Sequence, residues 1–129
     1  MSALHVTGSR FFIAQADMAA AEKILDGFPE PTYIIHSAPY LSPIQYLARQ
    51  YGWILTFDFE QQNIDGIQPY FRVMSEERLQ WLKAIAVYVK AGSYIEFHDE
   101  DEGGFYRIVF DGKIAKTIYP KWEEQDEQA

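Results

Sequence analysis

Between Ser93 and Tyr119 the chain carries three short alternating runs, "SYIEFH", "FYRIVF" and "IAKTIY". An acid stretch with two glycines separates the first pair, and Asp111-Gly112 separates the second. Period-two alternation is what a half-buried strand requires, and Asp-Gly between such runs is a strong hairpin signal. The pattern predicts a three-stranded antiparallel meander. Pairing the first two runs across a six-residue loop sets Glu96 opposite Arg107 and gathers Ile95, Phe97, Tyr106 and Ile108 on the other face. A one-residue slip would break both arrangements, so one register satisfies them together. The third run's register stays open, because Asp111-Gly112 accommodates a two- or three-residue loop.

Upstream, a strand is expected around Arg10 to Gln15, followed by an alanine-rich helix "MAAAEKIL" capped by Asp17 and stopped by Gly27. The proline-rich "PEPTYIIHSAPYLSP" reads as a loop with a short strand at Thr32 to Ile35. Ser42-Pro43 then opens a helix whose stripe is Ile44, Leu47, Ala48 and Tyr51, ending at Gly52. "WILTFDFE" and "IQPYFRVM" form a central hairpin, with Pro69 placing the second strand at an edge or a bulge. Ser75 caps the strongest helix, "EERLQWLKAIAVYVKA". There Leu79, Leu82, Ala86 and Val89 make the apolar stripe, widened by Ile85, with Trp81 and Tyr88 flanking it and Gly92 closing it.

These elements predict an α+β fold. About three helices pack on a mostly antiparallel sheet made of the N-terminal strand, the central hairpin and the meander. At 129 residues, 48% hydrophobic and 16% aromatic, the chain suffices for one domain with a true core. That domain is read as residues 1–122, with 123–129 as an acidic flexible tail. No cysteine is present, so disulfides, thiolate metal clusters and cysteine nucleophiles are excluded. "FFIAQA" ends in a small-x-small triplet, but its apolar core is too short for a secretory signal, and no run reaches membrane-spanning length. A cytoplasmic protein is expected, in the host cytoplasm if phage-encoded.

"WLKAIAVYVKAGSYIEFHDEDEGGFYRIVFDGKI" resembles a group of small bacterial and phage proteins of unassigned function. Those proteins end in a helix, a Gly-Ser-Tyr-Ile-like strand opening, an acidic turn, an aromatic-Arg-x-x-Phe strand and a short closing strand. The likeness covers roughly the C-terminal half, with a weaker echo in "RFFIAQADMAAAEKI". The turn departs from the group, which has a glycine-flanked Glu-Asp turn where this chain has His98 and an extended acid run. The resemblance implies a stand-alone domain of bacterial or phage origin and transfers no catalytic residue.

The chemistry of the turn is narrowed by spacing. A calcium loop starting at Asp99 would need an acid at its fifth position and glutamate at its twelfth, where Gly103 and Phe110 stand. Zinc at His98 would need His5 or His36, neither at helical ligand spacing. No nucleophile elbow, phosphate-cradling glycine loop or metalloprotease motif occurs, so no catalytic residue, metal or cofactor is assigned. Carboxylate pairs are trivial to find among nineteen acids, and Glu96 already has a structural task opposite Arg107.

Net charge is −8, and most of the excess lies from Glu96 onward, in the hairpin and in "EEQDEQA". Such a balance repels phosphate backbones and favours a basic protein partner. The leading expectation is therefore a non-enzymatic acidic interaction domain. Its contact residues would be Glu96, His98, Asp99, Glu100, Asp101, Glu102 and Arg107. It would engage a basic surface such as the groove of a nucleic-acid-binding enzyme, inhibiting a host defence protein by charge mimicry as small acidic inhibitors of restriction or CRISPR machinery do. A second expectation is a small enzyme or ligand-binding domain with a pocket at Tyr33, His36 and Tyr40. A third is a structural or homodimeric subunit using an exposed apolar sheet face of Phe105, Val109 and Ile118.

Overall fold

The computed structural model describes residues 4–28, 42–58, 60, 62–71, 74–99 and 104–119. In chain order the elements are β1 (Leu4–Arg10), α1 (Met18–Asp26), α2 (Pro43–Gln50), β2 (Trp53–Phe57), β3 (Ile64–Pro69), α3 (Glu76–Ile85), β4 (Tyr94–Asp99), β5 (Gly104–Phe110) and β6 (Ala115–Ile118). They form a single α+β domain containing a four-stranded antiparallel sheet, ordered β1-β4-β5-β6, and a separate β2-β3 hairpin. The expected strand at Thr32 to Ile35 and the tail 123–129 lie outside the described residues.

Local signals set two helix starts. The Ser42 hydroxyl accepts from the Gln45 N–H, the Gln45 side chain accepts from the Ser42 N–H, and Pro43 occupies the first turn of α2. Ser75 accepts from the Arg78 N–H at 3.2 Å, ahead of Glu76 and Glu77 in the first turn of α3. Asp17 stands at the N-cap of α1 but makes no side-chain cap bond, because a 3-10 turn at Gln15–Asp17 already leads into that helix.

The central register is as the alternation requires: Glu96 pairs with Arg107, Ile95 with Ile108 and Phe97 with Tyr106. Other expectations are corrected. The N-terminal strand is Leu4–Arg10, not Arg10 to Gln15. Phe11 and Ile13 are instead buried links, and Ile13 bridges to both Ile64 and Val89, stitching the hairpin to the rest of the fold.

That stitch also shortens the strongest helix. It ends at Ile85, and after a 3-10 turn Val89 is extended while the Lys90 N–H donates to the Phe12 carbonyl at 2.9 Å. Gly92 therefore lies beyond the helix, in the turn entering β4, while Trp81, flanking the stripe, is fully buried in the core. The third-strand register is fixed by Phe110 pairing with Ala115, and the Asp111 N–H donates to the Ile114 carbonyl at 3.3 Å, closing the turn around Gly112 and Lys113. The Asp111 carboxylate braces that turn by accepting from the Lys113 and Ile114 N–H groups, each at 2.9 Å. Finally, the central hairpin is not a member of the main sheet.

A buried polar clamp closes the β2–β3 turn. The Asn63 Oδ1 accepts from the Gln15 N–H at 2.8 Å, and its Nδ2 donates to the Asp58 Oδ2 at 3.0 Å. Asn63→Ala would leave the part-buried Gln15 N–H and an Asp58 carboxylate oxygen short of these partners. It is expected to cost about 1–3 kcal/mol, read as a lower urea midpoint at unchanged m-value.

Candidate functional site

The end of the β4–β5 hairpin collects most of the side chains that carry chemistry. Its ladder runs two rungs beyond Phe97, through His98 opposite Phe105 and Asp99 opposite Gly104. His98 and Asp99 are therefore strand residues, which corrects their placement in the loop. Alternation then sends them to opposite faces. His98 joins the outer row with Glu96 and Tyr94, whereas Asp99 continues the inward row of Ile95 and Phe97.

On the outer face, Arg107 Nε donates to Glu96 Oε2 at 2.7 Å, Thr7 donates to Glu96 Oε1 at 2.9 Å, and the Arg107 guanidinium lies 5.0 Å from the Tyr94 ring. Hydrogen bonds from Arg107 first and Thr7 second hold the Glu96 carboxyl below its usual range. Glu96 and Arg107, both expected at a partner interface, thus spend their charge on each other. The His98 and Phe105 rings lie 4.6 Å apart, and β1 sets His5 directly opposite His98. Among the described residues no group of three or more His, Asp or Glu side chains is placed to hold a metal ion. Phe105 and Ile118 are exposed on this face and Val109 is half-buried.

The depressed Glu96 pKa has a direction that can be measured. A carboxyl whose folded pKa lies below its unfolded value of about 4.3 stabilises the fold above that pH, and loses the contribution as pH falls through the folded value. A Glu96→Gln and Arg107→Met double-mutant cycle is expected to give a coupling of about 0.5–1 kcal/mol at neutral pH. The coupling should vanish in acid below the ordinary carboxylate range.

The inner face at the same end is not fully covered by helix. A cavity of about 480 Å³ opens there, lined by Met74, Leu79, Asp99, Gly104, Phe105, Tyr106, Ile108, Thr117 and Tyr119. The walls come from the start of α3, from inward residues of β4 to β6 and from Phe105 at the hairpin end. Tyr106 stacks on buried Phe97 with centroids 5.1 Å apart, which fixes its ring, and the Tyr119 ring is 6.0 Å from it. Burial, then the Asp99 carboxylate, then Tyr119 push the Tyr106 phenol up to about 12. A carboxylate, two phenols and a threonine hydroxyl therefore meet apolar walls in one cavity. An open groove of about 490 Å³ also runs between β1 and the end of β3, with His5, Gln68 and Phe71 among its lining residues.

Glu100, Asp101 and Glu102, and the alternative pocket residues Tyr33, His36 and Tyr40, lie outside the described residues. The Ser42 and Ser75 hydroxyls are helix caps, and Ser93 Oγ accepts from the Phe12 N–H at 3.3 Å. Tyr106, Thr117 and Tyr119 were missed as site residues, although one signal was in the sequence. Extending the Glu96–Arg107 register by two rungs puts Asp99 at the end of the inward apolar row.

Among the described residues no helix is long and apolar enough to cross a membrane. No family model matches the chain, and no curated protein or solved structure matches it either.

Proposed function

We propose that this chain is a non-enzymatic interaction domain that binds a basic protein segment at the end of the β4–β5 hairpin. The observation that carries the reading is the coincidence of charge and shape. Asp99, the first of four consecutive acids in the sequence, lines a cavity with aromatic and apolar walls. Acids alone would give a salt-screened attraction with little selectivity. A cavity beside them adds a place where one side chain of the partner can be buried, and such anchors dominate interface energetics.

In its most specific form the partner is a nucleic-acid-binding enzyme of a bacterial host, inhibited because rows of carboxylates occupy the place of phosphates. The net charge of −8 supports this direction and disfavours direct nucleic-acid binding. The test is capture from bacterial lysate across a salt series. The reading expects basic nucleic-acid enzymes to be retained at low salt and released steeply as salt rises. Converting Asp99, Glu100, Asp101 and Glu102 to lysine should abolish retention; an unchanged set of captured proteins would defeat the reading.

A further inference from the structure

Spacing along the chain argues against a metal at His98, because no second histidine stands at helical ligand distance. The sheet supplies a neighbour by another route. We propose that His5 and His98 form a two-imidazole chelate on the outer face of the sheet, for a divalent first-row transition ion such as Zn²⁺, Ni²⁺ or Cu²⁺.

The strand register places the two rings together. Leu4, His5 and Val6 of β1 pair with Asp99, His98 and Phe97 of β4, before the register shifts between Val6 and Gly8. Residues directly opposite share a face, with Cβ atoms about 4.5–5.5 Å apart. A tetrahedral ion held by each imidazole at about 2.0–2.1 Å needs two nitrogens roughly 3.4 Å apart, which that spacing allows. Burial agrees on the face. Leu4 and Phe97 turn into the core, whereas His5 is exposed and His98 half-buried.

His98 is also held in place. It stands between His5 on β1 and Phe105 on β5, and its ring lies 4.6 Å from the Phe105 ring. A side chain already braced by a neighbour loses less freedom when it takes a ligand. His5 has a further interaction partner of its own. A metal-bound imidazole uses one ring nitrogen and leaves the other to such a partner, so ligation requires neither ring to be idle.

The donor type sets the ion. Imidazole suits zinc, copper and nickel, whereas magnesium and calcium take oxygen ligands. The net charge of −8 draws divalent cations to the chain. No third His, Asp or Glu among the described residues joins the pair, so the chain supplies two ligands and water completes the shell. That makes an exchangeable site. It stands apart from the interaction-domain reading, which uses the inner face.

The test is an NMR titration of the full, untagged chain with Zn²⁺ alone, following the Cε1–H resonances of its three histidines. His5 and His98 are expected to shift together and saturate at one ion per chain. Mg²⁺ at the same concentration should leave both in place. His5→Gln, at an exposed position, should raise the Zn²⁺ concentration at half-saturation at least about tenfold, a difference of about 1.4 kcal/mol. His98→Gln should do the same, and His36→Gln should change nothing. Undiminished binding in His5→Gln would overturn the site whether or not the His98 variant folds. So would two rings that titrate separately, a loss of binding in His36→Gln, or an equal response to Mg²⁺.

Discussion

Trp53→Ala is expected to remove about 3–5 kcal/mol of folding stability, a large share of the roughly 5–15 kcal/mol typical of a domain. Trp53 is fully buried at the junction of the two sheets and α3. Its ring meets Phe71 edge-on at 4.9 Å and Phe97 at 6.4 Å, and it stacks on Trp81 at 6.5 Å. Its Nε1–H donates to the Arg78 carbonyl at 3.3 Å. Alanine would empty the centre of that cluster, whose surrounding rings are carried by β4, by α3 and by the segment after β3. Trp81 offers a built-in comparison. It is equally buried, but among the described residues its Nε1–H has no hydrogen-bond partner. Trp53→Phe should therefore cost more than Trp81→Phe, because only the first breaks a hydrogen bond and the second relieves a desolvated donor. Urea unfolding of the two variants gives the comparison; the reverse order would contradict the packing described.

Gly52→Ala is expected to be a strongly damaging single-methyl change. Gly52 joins α2 to β2 with φ at +84°, a conformation costing an alanine about 1–2 kcal/mol. An added Cβ would also stand 2.8 Å from Phe71 Cδ1 and 3.1 Å from Arg78 Nε. Neither neighbour yields easily. Phe71 packs on Trp53, and Arg78 donates to the Tyr51 carbonyl at 3.0 Å while its guanidinium lies 4.4 Å from the Phe71 ring. Strain and overpacking together predict a loss of roughly 2–4 kcal/mol. Gly8→Ala is the control, since nothing lies within 4 Å of its would-be Cβ. It should change stability by less than about 0.5 kcal/mol. Similar losses at the two positions would contradict the geometry around Gly52.

What could be read from sequence follows the range of the interactions involved. The Ser42 and Ser75 caps depend on residues three apart, so they were legible. The Glu96–Arg107 register was legible because two independent patterns, charge and alternation, agree on it. The end of α3 was not. Helical periodicity continues through Val89, but the pairing of Ile13 with Val89 and of Phe12 with Lys90 draws those residues out of the helix. The same long-range seam explains the misplaced first strand. Phe11 and Ile13 have stronger strand character than "LHVTGSR", yet they serve as buried links between the two sheets. The cavity was illegible for a related reason. Its described lining joins the start of α3 to residues of β4, β5 and β6, a matter of where elements sit and not of which elements form.

The chemistry of the hairpin accordingly divides by face. Outward, Glu96, Arg107, Thr7 and Tyr94 satisfy one another and hold the ladder. Inward, Asp99 departs from the apolar row at the point where a cavity begins. That divergence at adjacent positions links the fold to the proposed function.

Chemical-shift mapping with an arginine-rich peptide tests this most directly. The account predicts shifts concentrated at Asp99, Gly104, Tyr106, Thr117 and Tyr119, lost when Asp99 to Glu102 are converted to lysine. Shifts centred instead on Arg10, Tyr94 and Lys116 of the outer face, or a pattern indifferent to that conversion, would contradict it.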